Sequence, residues 1–314
     1  MPRPLKTLLR GLIGLALLAV VVRLANPAHL LGQLRHAHGG WLLAGLAASI
    51  ASNIVSAWRW RALARWLGAQ ARLADVQRWY FQAVGLNALL PGAVVGGDVY
   101  RAVMLARADN DRAAASWSVA LDRVSGLWML CAISGLGAAV CAPALTPFIA
   151  RVMPLLSNGV FALLCVAVTV IWLLLPWGLL ALLRRGGWRD LPRWLAPLAQ
   201  AARRPDFGVQ LALQMLASTL VQVLSALALA CGGLALGVHL AAAAWAFVIA
   251  PIFLMATLPV SVGGWGTREA AAAAALAPFG IPAAAAVGTG LLYGVLMLAQ
   301  GALGALAFGL PRRT

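Results

Sequence analysis

Eight apolar stretches, six unbroken and two interrupted near their centres, decide what this chain can fold into. A helix needs about 20 apolar residues to cross the ~30 Å hydrocarbon core of a bilayer. Residues 8–25, 41–57, 114–142, 159–183, 209–237 and 283–309 are suited to that role. Residues 79–100 and 242–280 are not: Pro91, Gly92, Gly96 and Gly97 break the first, and Pro259, Gly263, Gly264 and Gly266 break the second. Proline removes a backbone donor and glycine admits conformations denied to other residues, so each helix stops within the membrane. The halves are too short to span and suit a re-entrant hairpin. The predicted fold is all-α: one polytopic membrane helix bundle over residues 1–314, with six full spans and two re-entrant helical hairpins.

Composition supports a membrane solvent. Apolar types make up 63% of the chain and charged types 10%, against about 45–50% and 25% in a soluble domain. The formal charge of +16 does not indicate nucleic acid, which needs a basic face on a water-exposed fold. Here the arginines flank apolar runs, where they orient the chain and meet anionic headgroups. Arg3, Lys6 and Arg10 before the run Gly11–Val22 resemble a signal peptide, but further spans follow and the segment reads as an uncleaved first helix.

With the amino terminus in the cytoplasm and both hairpins returning to their own side, 19 of the 24 basic residues are cytoplasmic. The expected orientation therefore has both termini inside. Tryptophans near the cytoplasmic ends form an aromatic belt, and the Trp-Arg-Trp-Arg run at 58–61 reads as a snorkelling anchor. Four cysteines in apolar stretches read as small buried hydrophobes. No metal, cofactor or nucleophile–base signature appears, so no enzyme is expected.

The two broken stretches resemble each other. Leu90-Pro91 precedes Gly96-Gly97 and Arg101; Leu258-Pro259 precedes Gly263-Gly264 and Arg268. Three spans separate them, so they enter from opposite faces, as inverted repeats do around a midplane site. Backbone N–H groups freed at the breaks, together with Arg101 and Arg268, make a pocket suited to phosphate. Close helix packing, with the arginines as counter-ions to nearby acids, is the structural alternative.

Three acids fall in apolar segments, Asp98, Asp122 and Glu269, beside Arg101, Arg123 and Arg268. Charge at that depth must be paired or wet. Asp98 and Arg101, at i and i+3, can pair locally, whereas Asp122 and Arg123 point apart and need partners on other elements. Asn87 is a further site candidate. Asn53, Gln82, Gln214, Gln222 and Ser225 read as makers of interhelical hydrogen bonds. Loss of Arg101, Asp122 or Glu269 is expected to stop transport without harming insertion.

The stretch Asn87…Leu90-Pro91…Gly96-Gly97-Asp98…Arg101, the pair Asp122-Arg123, and Pro259-x-Ser261-x-Gly263-Gly264-x-Gly266-x-Arg268-Glu269 resemble the lysylphosphatidylglycerol synthase transmembrane-region family. Its common third motif has Glu-Arg where this chain has Asp122-Arg123. The resemblance implies a flippase-like domain carrying a lipid between leaflets: a phospholipid, a polyprenyl-linked glycan or a hopanoid. The soluble lysyl-transferring synthase of larger members is not expected, since the chain stops at Thr314 just after the last span. An enzyme acting on a lipid phosphate and a non-transporting pathway partner are the other readings; homo-oligomerisation stays open.

Overall fold

A computed structural model describes residues 35–89, 96–185, 192–258 and 263–309, together with Gly32. The expected first span, 8–25, and the expected helix breakers Pro91 and Pro259 lie outside the described residues. Among those described there are eleven α-helices and no strand. They are α1 Gly39–Trp66, α2 Leu73–Leu89, α3 Gly96–Ala106, α4 Arg112–Cys141 and α5 Thr146–Val152. After these come α6 Asn158–Arg185, α7 Ala196–Arg203, α8 Phe207–Leu234, α9 Ala242–Thr257, α10 Thr267–Leu276 and α11 Ala283–Gly309.

Five of these helices are long and apolar enough to cross a bilayer: α1, α4, α6, α8 and α11. Their bounds follow the sequence expectation to within a few residues, except in α1. That helix continues past residue 57 to Trp66, so the Trp-Arg-Trp-Arg run lies in its body. The chain is a multi-pass membrane protein. Several hydroxyls in the spans turn back onto their own helix, which satisfies them without a partner from lipid. Ser49 donates to the Gly45 carbonyl at 2.7 Å, Thr169 to Cys165 at 2.7 Å and Thr289 to Ala285 at 2.8 Å. At the start of α4 the Asp111 carboxylate caps the Ala114 N–H at 2.8 Å, a contact that stabilises a helix by about 1 kcal/mol.

Packing follows an exchange rule. Helices α1 and α8 lie along each other. The interrupted pair α2–α3 lays α2 on α11 and α3 on α4; the pair α9–α10 lays α9 on α4 and α10 on α11. Small residues set these close approaches. A Cβ added at Gly85 would lie 2.9 Å from the Ala305 nitrogen and 3.0 Å from the Gly301 carbonyl oxygen. One at Gly137 would lie 2.6 Å from the Phe247 nitrogen. Backbone cannot step aside as a side chain can. Gly85→Leu is therefore expected to lower the melting temperature in detergent, at a cost of at least about 1–3 kcal/mol. Gly178→Leu, on an open face of α6, should leave it nearly unchanged; equal melting of the two variants would contradict the packing.

Helix α6 stands apart, buried over only 6% of its most apolar window. It is clasped to α4 by a reciprocal tryptophan pair. Trp128 Nε1 donates to the Trp172 carbonyl and Trp172 Nε1 to the Trp128 carbonyl, both at 2.9 Å.

Candidate functional site

The charged residues of the first broken stretch assemble with α4 and α1 into one chain of ion pairs. Asp98 stands in the first turn of α3, where the helix dipole favours a carboxylate. One turn later Arg101 reaches back to it, Nη2 to Oδ1 at 2.8 Å. The other arm of Arg101 crosses to α4, where Nη1 donates to Asp122 Oδ2 at 2.8 Å. Asp122 Oδ1 in turn accepts from Arg59 Nε at 2.9 Å, and Arg59 Nη2 donates to the Asp122 carbonyl at 3.0 Å. Arg123, on another side of α4, donates from Nε to Asp98 Oδ2 at 2.6 Å. The order is Arg59–Asp122–Arg101–Asp98–Arg123. Asp122 and Arg123 thus find their partners on other elements, as their spacing predicts, and Asp98 pairs locally with Arg101.

Burial makes these pairs matter. Arg59, Arg101 and Asp122 are all buried. Ionised groups out of water are tolerable only when fully bonded. Arg59 also donates to the Ser218 hydroxyl at 3.0 Å, and its guanidinium lies against Gly126 of α4. Arg101 is flanked by the rings of Trp60 and Tyr80, their centroids 5.0 and 4.9 Å from its Cζ. Such faces attract a cation while excluding water. The chain opens at its far end, where the Asp98 and Arg123 side chains are 20% and 42% exposed.

These residues line a cavity of about 370 Å³. From Arg59 it runs along Ser56, Asn53, Ser52 and Ser49, which recur on one face of α1 at helical spacing. Opposite stand Gln222 and Ser225 of α8 and Gln300 of α11. Several of them bond to one another: Ser52 with Ser225 at 3.0 Å, and Asn53 with Gln300. Gln222 Nε2 donates to the Gly126 carbonyl at 2.8 Å, so these polar residues do join helices. Leu127 and Leu130 of α4, Phe253 of α9 and Met297 of α11 supply apolar wall. Both interruptions border the cavity, through Asp98 just after the first and Thr257 at the last position of α9 before the second.

The second motif is built differently. Gly263, Gly264 and Gly266 take φ of 59°, 76° and 83°, a region that favours glycine. The turn folds tightly onto α9, where a Cβ on Gly264 would lie 2.9 Å from that of Ala256. Glu269, 0% exposed, folds back so that Oε2 accepts the Gly266 N–H at 2.6 Å. Its Oε1 accepts from Arg268 Nη2 at 2.6 Å. Arg268 also donates to the Gly290 carbonyl of α11 at 3.0 Å and packs on the Trp265 ring. Glycine at 294 admits it, since a Cβ there would lie 2.8 Å from its Cζ. Neither Arg268 nor Glu269 is among the residues that line the cavity. The structure therefore brings Asp98, Arg101, Asp122 and Arg123 together and sets the second pair behind the wall.

Asn87 and Gly97 meet across the first interruption. The Asn87 Oδ1 accepts the Gly97 N–H at 3.0 Å, and a Cβ on Gly97 would lie 2.5 Å from that oxygen. Asn87 thus caps α3, and this backbone donor is taken. Gly96, the first residue of α3, is exposed. Arg59 is the site residue that its local sequence hides, because a tryptophan-flanked arginine near a helix end reads as an interfacial anchor. The signal that reveals it is the run of polar residues Ser49, Ser52, Ser56 and Arg59 along one face of an apolar helix. Among the described residues no three His, Cys, Asp or Glu side chains gather as a metal site.

Interrupted helices around a charged, hydroxyl-lined chamber in a multi-pass bundle define an integral membrane protein with an internal polar site. The chain belongs to the lysylphosphatidylglycerol synthase TM region family, whose profile matches residues 7–304. Comparison with curated proteins finds no similar one.

Proposed function

We propose that the protein is a flippase-type carrier that moves a phosphate-bearing lipid between the leaflets of a bacterial inner membrane, with both chain termini in the cytoplasm. The observation that carries this reading is the Arg59–Asp122–Arg101–Asp98–Arg123 chain, buried at Arg59, Asp122 and Arg101, which opens through Asp98 and Arg123 into a cavity bordered by both helix interruptions. A phosphate arriving at the exposed end competes with Asp98 for Arg101 and Arg123. The headgroup then follows the polar face of α1 while its chains stay in the bilayer.

The same reading takes α2–α3 and α9–α10 as re-entrant hairpins of an inverted repeat. The exchange of packing partners between α4 and α11 supports it. So does the match of contacts along the chain: Arg101 donates to Asp122 across 21 residues, and Arg268 to the Gly290 carbonyl across 22.

The test is purified protein in vesicles holding a labelled phospholipid in one leaflet. Label should reach the other leaflet faster than in protein-free vesicles, with the lipid chemically unchanged. A new lipid species on chromatography would establish an enzyme instead. Unchanged lipid that stays in its leaflet would leave the protein a non-transporting partner.

A further inference from the structure

Resting on the carrier reading, we infer that the chamber selects lipids whose phosphate is followed by a hydroxyl-rich headgroup, glycerol or sugar, and rejects headgroups bearing ammonium. Charge is the first ground. The cavity holds three guanidiniums, Arg59, Arg101 and Arg123, against two carboxylates, Asp98 and Asp122, an excess of one positive charge. Both carboxylates are already held by arginines on each of their oxygens. Glu269, the other buried acid among the described residues, is bound to Arg268 and the Gly266 N–H. A phosphodiester therefore neutralises the excess. A lysyl ester of the same lipid would bring two ammonium groups into a site its phosphate has already neutralised, where Asp98, displaced by that phosphate, is one carboxylate for two cations.

The second ground is what lies beyond the arginines. Along the face of α1 the lining is hydroxyl and amide: Ser49, Ser52, Asn53 and Ser56, facing Ser225 and Gln300. These groups both donate and accept, as the hydroxyls of a polyol do, and two pairs of them now bond to each other, Ser52 with Ser225 and Asn53 with Gln300. A ligand hydroxyl can replace such a bond, whereas an alkyl headgroup would strand both partners, a loss buried polar groups make costly. Phe253 and Tyr293, stacked at 5.1 Å between centroids, line the same chamber and give a sugar or glycerol an apolar surface to lie on.

Thermal stabilisation of the purified protein by added lipid tests this. Phosphatidylglycerol and phosphatidylinositol should bind at least about tenfold more tightly than lysyl-phosphatidylglycerol. They should likewise outbind phosphatidylethanol, which has the phosphodiester but no headgroup hydroxyl. The double variant Ser52→Ala/Ser225→Ala should erase the preference over phosphatidylethanol and keep that over the lysyl ester. Equal or tighter binding of lysyl-phosphatidylglycerol would overturn the inference, as would a preference over phosphatidylethanol unchanged in the double variant. Free glycerol 3-phosphate stabilising as well as the lipid would also overturn it, by assigning the chemistry to a soluble ligand. If selectivity appears in binding but no lipid crosses vesicles, the carrier reading fails and the selectivity stands.

Discussion

Asp122→Ala should leave the protein unable to hold its fold in detergent, with a loss of about 3–5 kcal/mol. Asp122 is buried between Arg59 and Arg101 and accepts from both. Removing it leaves two guanidiniums facing each other in a low-dielectric interior without an anion between them. The burial thereby changes the expectation for this position from a silent loss of transport to a loss of structure. The double variant Arg59→Met/Asp122→Leu removes charge in a balanced way and should melt higher than Asp122→Ala alone. Thermal denaturation of the three proteins decides it; an Asp122→Ala melt equal to wild type would show that the pairs contribute nothing. Glu269, held between Arg268 and the Gly266 N–H, belongs to the same structural class.

Arg101→Lys should keep the fold and lose transport. The charge survives, but an ammonium cannot place two donors in a planar fork, one on Asp98 and one on Asp122. Nor does it lie as well between the rings of Trp60 and Tyr80. A charge-assisted bond of this kind is worth about 1.5–3 kcal/mol. If that bond is what holds the phosphate in motion, lipid movement in vesicles should fall roughly tenfold to a hundredfold. Transport at the wild-type rate in the lysine variant would remove Arg101 from the path of the headgroup.

Much of the architecture is legible in one dimension because lipid is an unforgiving solvent. Spans must be apolar and long, so the bounds of α4, α6, α8 and α11 follow from runs of residue types. Breaks must carry proline or glycine, so the chain leaves its helices beside Gly96-Gly97 and Gly263-Gly264. Spacing also carries information at short range, as with Asp98 and Arg101. Arg59 escapes this logic, since the acid that holds it is on another helix. Asn87 reads as a ligand for substrate and is found capping α3, because its partner is backbone that the break itself exposes.

The sequence alone determined that this chain is a multi-pass helical membrane protein with two interrupted helices and a few charges that had to find partners. Only the tertiary structure decided that the two similar motifs differ in kind. Where the first has Asp98 and reaches Asp122, the second has Trp265 and reaches the Gly290 carbonyl. Arg268 is therefore left to pair with its own neighbour, Glu269. A charge in lipid must be satisfied locally or across helices, and which of the two occurs depends on what the packed neighbour presents.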